Sequence, residues 1–237
     1  DVEFVRSTGG GTPVLALPGA QGNAEVFFKQ FLAWGGRRCL IALSYPALSD
    51  GAALADFVVA FADAQACPRF DLVGTSLGGY VAQWVAVRHP GRIGRLVVGN
   101  SFHDPAPAQA PERLQALERR DPETVKAETM ARIESAPDGE LKQMQRELVG
   151  RCQRAELLHA RLLAVQRAVV LPLLGLPDER LLLVECDNDP LIPPPMRAAL
   201  RAAHPGARAV TVEGGGHFPF VLRADAYNEA VGTFLGL

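Results

Sequence analysis

Cysteine is scarce in this chain and scattered. Cys39, Cys67, Cys152 and Cys186 form no CxxC pair and have no histidine at ligand spacing. No zinc or other metal site and no disulfide framework is expected, and free buried thiols are. An excess of charge of either sign is also missing. Lys and Arg total 24 against 26 Asp and Glu, a net charge of −2. Such a balance gives no electrostatic footprint for nucleic acid and no polybasic face for a membrane surface. Long apolar runs are absent as well. The longest, around residues 52–67, is interrupted by Asp56 and Asp63 and falls short of the roughly 18 uncharged residues a membrane span requires. No secretory signal pattern is visible, so a cytoplasmic location is expected. There is no internal repeat and no low-complexity linker.

What is present is an ordinary globular composition, 48% hydrophobic and 21% charged over 237 residues. That length suits one large domain or two small ones and buries a sizeable core without staples. Short apolar runs alternate with helical patterns. Strands are expected at 2–6, 14–17, 38–43, 70–73 and 95–98, with helices at 25–35, 51–66 and 77–88. Pro18-Gly19 and Pro90-Gly91 punctuate them. In 25–35 the aromatics Phe27, Phe28, Phe31 and Trp34 are spaced like one helix face. Apolar strands separated by helices point to a parallel sheet covered on both faces. From 103 to 177 the rhythm changes, and no strand is convincing. Arg, Glu, Gln, Leu and Ala favour helix there. Asp121-Pro122-Glu123 reads as an N-cap with Pro at the first helical position. Pro137-Asp138-Gly139 separates two helices, and Leu157, Leu158, Arg161, Leu162 and Val165 form a helical stripe with a polar back. The sheet resumes at 181–185 and 209–213, and a helix closes the chain at 224–234. The expected organisation is a core of 1–102 and 178–237 with a helical cap of 103–177 inserted after the strand near 95–100.

The chemistry centres on Gly74-Thr75-Ser76-Leu77-Gly78. This G-x-S-x-G run follows a predicted strand and opens a predicted helix, the context a nucleophile elbow requires. The chain must reverse sharply there with Ser76 in a strained conformation. Side chains two residues to either side would collide across the turn, so both positions are Gly. The helix N-terminus favours negative charge at that spot. The structural alternative is a plain glycine-rich turn with a capping serine.

A serine hydroxyl needs a base, and the base needs an acid to hold its tautomer. Of five histidines, His217 follows Gly214-Gly215-Gly216 just after the last strand. His89 and His204 each precede Pro or end a helix, and His159 lies in a cap helix. His103 comes directly after the strand ending at Gly99, which can turn it toward the site, and a solvated loop is the competing and preferred reading. Asp187 and Asp189 both follow the strand 181–185. Asp189 lies further from the strand and is followed by Pro190, so it is preferred as the acid. Its alternative role is that of a turn-forming residue. The order Ser76, Asp189, His217 then differs from the orders of chymotrypsin and subtilisin. The tetrahedral intermediate needs two donors. The expected pair is the backbone N–H of Leu77 and that of Ala20, because Pro18 has none. Gln21, Phe102, His103 and Phe218 are expected around the substrate. Neither Gly9–Gly11 nor Gly214–Gly216 fits a dinucleotide or P-loop pattern, and no cofactor is expected.

With these residues in place, the chain resembles the α/β-hydrolase superfamily along nearly its whole length. Its maspardin-like members are similar in Ala24-Glu25-Val26-Phe27-Phe28-Lys29-Gln30, Ser76-Leu77-Gly78-Gly79, Gly99-Asn100-Ser101-Phe102 with Asp104, and Gly215-Gly216-His217-Phe218-Pro219-Phe220. The resemblance implies an α/β-hydrolase fold. Within that branch an asparagine stands where this chain has His217, and binding or trafficking roles are ascribed to it. Many α/β-hydrolases carry a histidine where this chain has Pro18. The leading expectation is a serine hydrolase acting on an ester, thioester or related acyl bond of a small hydrophobic substrate. The alternatives are a non-catalytic binding or adaptor protein, a hydrolase of carbon–carbon bonds, and a cofactor-free lyase or haloperoxidase-like activity. A monomer or homodimer is expected, with a small acyl compound as substrate.

Overall fold

The computed structural model describes residues 3–237. In chain order, β1 (Phe4–Arg6), β2 (Val14–Leu17), α1 (Phe28–Trp34), β3 (Leu40–Leu43), α2 (Gly51–Ala64), β4 (Phe70–Thr75), α3 (Leu77–Arg88) and β5 (Ile93–Gly99) form the first half. The second half contains α4 (Pro111–Glu118), α5 (Pro122–Ser135), α6 (Glu140–Gln145), α7 (Ala155–Gln166), β6 (Leu181–Glu185), α8 (Pro194–Ala203), β7 (Arg208–Thr211), α9 (Pro219–Leu222) and α10 (Ala224–Leu235). The start of the first expected strand, at Val2, lies outside the described residues.

The strands form one seven-stranded sheet in the order β1-β3-β2-β4-β5-β6-β7. Only β1 is antiparallel to its neighbour, with Phe4 opposite Leu43. Every residue of β2, β3 and β4 is buried, as strands covered on both faces must be. Successive side chains alternate between faces. Leu15, Leu17, Ile41, Leu43, Leu72, Leu96 and Val98 pack against α2, α3 and α8. Val14, Ala16, Leu40, Ala42, Val73, Val97 and Leu182 pack against Phe27, Trp34 and α10. In such a sheet the carboxyl ends of the central strands form the natural crevice for a ligand. The loops after β2, β4, β5, β6 and β7 all gather there.

The segment expected as a single helix at 25–35 begins as a 3-10 turn, Ala24–Phe27. Phe27 and Trp34 are buried, whereas Phe28 is 38% exposed. The reason is the helical period: Phe28 stands about 100° around from Phe27, and faces solvent with Lys29 Nζ 5.9 Å from its ring centre. Three cysteines are buried, but Cys152 is exposed, which corrects the expectation of four buried thiols.

Between β5 and β6 the chain is helical. Asp121 caps α5 as expected, with its carboxylate accepting from Thr124 N at 2.9 Å. α6 runs into a π-helical stretch, Arg146–Cys152. Ile133, Val149 and Leu158 form a small cluster of their own. The return leg is fastened to α3. Tyr80 Oη donates to Val169 O at 3.0 Å and accepts from Val169 N at 2.9 Å. No helix among the described residues is long and apolar enough to cross a membrane.

Candidate active site

β4 ends at Thr75 and α3 begins at Leu77, leaving Ser76 alone to make the turn. Its φ and ψ are 54° and −123°, a region L-residues avoid and which marks functional strain when the surroundings impose it. They do impose it. Ser76 N donates to Gly99 O at 2.9 Å, and Ser76 O accepts from Ser101 Oγ at 2.7 Å and from Tyr80 N at 3.1 Å. The two flanking glycines are required. A Cβ on Gly74 would lie 2.2 Å from Gly78 O, and one on Gly78 would lie 2.1 Å from Leu17 O.

On the neighbouring loops, His217 Nδ1 lies 2.9 and 3.0 Å from the two carboxylate oxygens of Asp189. A carboxylate only accepts, so Nδ1 carries the proton and Nε2 is left as the basic nitrogen. Asp189 also receives Asn100 Nδ2 at 2.8 Å, Leu191 N at 2.8 Å and Ile192 N at 3.1 Å. Burial pushes this carboxyl upward. The His217 contact, the Asn100 amide and the Leu191 N–H together outweigh it and hold the pKa below the ordinary carboxylate value. Asp187 does different work: its exposed carboxylate accepts from Gly214 N at 2.8 Å, and Asn188 Oδ1 accepts from Gly216 N at 2.8 Å. Both fix the glycine loop that precedes His217.

Asn100 was not expected at the site. Its Nδ2 bonds Asp189 and, at 3.0 Å, Gly216 O, while its Oδ1 accepts from Cys186 Sγ at 3.8 Å. It therefore ties the acid to the histidine loop. Its φ of 42° is one that asparagine tolerates better than most residues, the local signal that could have singled it out. Burial pushes the Cys186 thiol up to about 11, so it stays protonated beside the pair and is no nucleophile.

Ser76 and His217 line one cavity of about 380 Å³. No hydrogen bond joins Ser76 Oγ to the imidazole among the described residues, and such contacts commonly tighten only around substrate. Gly19, Ala20, Gln21 and Gly22 form one wall. They make a turn closed by Gly22 N donating to Gly19 O at 3.0 Å, with Ala20 and Gln21 at its tip. Neither Ala20 N nor Leu77 N has a protein acceptor among the described residues. Phe102 and Phe218 line the cavity as expected, together with Val26, Leu162, Val165, Ile192, Met196 and Phe220. His103 does not. It lies against His204, ring centres 5.9 Å apart and perpendicular, and is a packing residue at the base of the cap. The reason is that Phe102, stacked on Tyr80 at 5.0 Å, takes the cavity side of the loop and turns the next residue away. Sequence reasoning also missed Arg113 and Gln145, the polar cap residues on the cavity wall. They sit on helices whose facing periodicity alone cannot reveal.

The model of the alpha/beta hydrolase family matches residues 14–230, and the chain belongs to that family. It is 31% identical over 190 residues to the pimeloyl-[acyl-carrier protein] methyl ester esterase of Neisseria meningitidis serogroup B, covering 75% of this chain and 72% of the relative. It is 38% identical over 97 residues to human maspardin, a match spanning 39% of this chain and 31% of that protein. Among solved structures, a hydrolase from Pseudomonas aeruginosa superposes over 100% of this chain and 94% of its own with a TM-score of 0.80 at 23% identity.

Proposed function

We propose that this protein is a serine esterase acting on a small, largely apolar carboxylic ester or thioester. The observation that carries the reading is the hydrogen-bonded Asp189–His217 pair facing one cavity with Ser76, which sits at a strained strand-to-helix turn. In the proposed reaction His217 Nε2 takes the proton of Ser76 Oγ as the oxygen attacks the acyl carbon. The oxyanion is received by Leu77 N–H and Ala20 N–H, and the imidazolium is stabilised by Asp189. His217 then protonates the leaving oxygen or sulfur, and the alcohol or thiol departs. Water repeats the sequence on the acyl-enzyme, releasing the acid and restoring Ser76. Residues 103–177 act as a cap whose apolar residues, with Phe102 and Phe218, take the acyl group. Arg113 and Gln145 lie toward the cap side, where the alcohol or a distal polar group would emerge. The methyl ester esterase relative supports an ester over a carbon–carbon bond. The intact His217–Asp189 pair favours catalysis over a pure adaptor role.

The test is intact mass after a fluorophosphonate, on the native protein and on Ser76→Ala. One adduct on the native protein, absent from the folded variant, is the expected result. Absence of any adduct on the folded native protein, together with no cleavage of p-nitrophenyl butyrate, overturns the reading.

A further inference from the structure

Arg161 occupies an unusual position. It lies in α7 of the cap segment, is fully buried, and is the largest of the fully buried side chains. Its Nη1 donates to Gly22 O at 3.0 Å, while Nε and Nη2 have no protein partner. No Asp or Glu pairs with it among the described residues. Burial lowers its pKa to about 10, which leaves it a cation at neutral pH. An unpaired buried cation is a liability for folding. A chain selected for stability alone would place an apolar side chain on this inward face, as it does with neighbouring Leu158 and Leu163.

Its charge lies near the buried Tyr45 hydroxyl, and the single hydrogen bond it makes is informative. Gly22 closes the turn whose tip bears Ala20, and it lines the same cavity as Ser76. One residue further on, Asn23 Oδ1 accepts from Gln153 Nε2 at 3.2 Å, again from the cap segment. The exit of the turn is thus gripped twice from the cap, and the rest of the turn is anchored by β2. A backbone N–H serves an oxyanion only if it is held within a few tenths of an ångström of its place, and a displacement of about 1 Å can lower a rate by about 100-fold.

We propose that Arg161 is a positioning residue that locks the Gly19–Gly22 turn to the cap, so that the Ala20 N–H is aimed at the reacting carbonyl only while the cap is seated. The proposal rests on the serine-esterase reading above. It makes acyl transfer depend on cap position through one side chain that touches neither substrate nor nucleophile.

The experiment compares the native protein with Arg161→Met, Arg161→Lys and Gln153→Leu. Three quantities are read: the rate of fluorophosphonate labelling of Ser76, kcat and KM on p-nitrophenyl butyrate, and the unfolding midpoint. Arg161→Met should lower both the labelling rate and kcat by about 10- to 100-fold, with KM within about threefold. Its midpoint should stay level or rise, because an unpaired buried charge has been removed. A merely structural arginine would show the reverse, a lower midpoint and an unchanged rate per folded molecule. Arg161→Lys, which keeps the charge and one donor, should recover much of the loss. If Arg161→Met does not fold, Gln153→Leu carries the test, with a smaller fall in kcat in the same direction expected. Labelling and kcat within about threefold of native in the folded variants would overturn the proposal alone. A native protein that neither labels nor turns over would overturn the esterase reading and this inference with it.

Discussion

The two sides of the cavity are held by different means. On the sheet side, Asp189 is saturated: an imidazole, an amide and two backbone N–H groups converge on its two oxygens. On the cap side, Arg161 has one bond and two idle donors, and Gln153 and Gln166 each leave a buried oxygen without a partner. The strands beneath are buried along nearly their whole length, whereas α4 buries none of its residues. The helices of 103–177 are further linked by Arg146–Glu134 and Arg167–Glu118, both with exposed partners, and such pairs contribute little. The densely hydrogen-bonded Asp189–His217 pair thus faces a helical segment, 103–177, that is less buried than the strands.

This contrast can be broken most severely at the acid. Asp189→Asn forces the wrong imidazole tautomer and should reduce kcat by about three to four orders of magnitude with the fold retained. Asp187→Asn keeps an oxygen for Gly214 N and should stay within about tenfold of native. Ester hydrolysis by the two variants, side by side, checks the pair, and the opposite ranking would move the acid to Asp187. The contrast can be sharpened through stability. Leu182→Ala empties a fully buried place in β6 and should cost about 2–5 kcal/mol. Leu117→Ala, on a half-buried turn of α4, should cost less than about 1.5 kcal/mol. Urea unfolding measures both, and equal values would remove the distinction between frame and cover.

The smallest effect concerns pH. Burial lowers the pKa of His103, and burial together with its histidine neighbour lowers that of His204. Asp104 and Asp178 oppose these shifts only in part. The unfolded chain therefore binds protons that the fold refuses. Stability is fully present above the unfolded histidine pKa of about 6.5 and is lost as pH falls below it. The unfolding midpoint should drop between pH 7 and pH 5, and less steeply in His204→Gln. An identical slope in that variant would remove the pair from the account.

The sheet side was also the more legible from sequence. Gly74 and Gly78 betray the turn at Ser76 because backbone atoms leave no room for a Cβ. Three glycines before His217 and a proline after Asp189 mark loops that must run tightly over the strand ends. Short apolar runs gave the strand positions, with ends shifted by one to two residues at β3, β4, β5 and β7. Asn100 escaped notice because its role depends on three partners distant in sequence, Asp189, Gly216 and Cys186. The cap resisted for a related reason. Arg161 falls on an apolar stripe, and nothing in local spacing tells a buried arginine from one that reaches water. His103 was placed at the substrate because it follows a strand end, but a one-residue offset in a turn decides which way a side chain faces.

The backbone at Ser76 also costs stability. A residue with φ of 54° and ψ of −123° would be most comfortable as glycine, which meets no steric objection there. A serine stands there instead, its backbone held by Gly99 O, Ser101 Oγ and Tyr80 N. Replacing Ser76 by glycine should therefore relieve that backbone strain and raise the unfolding midpoint.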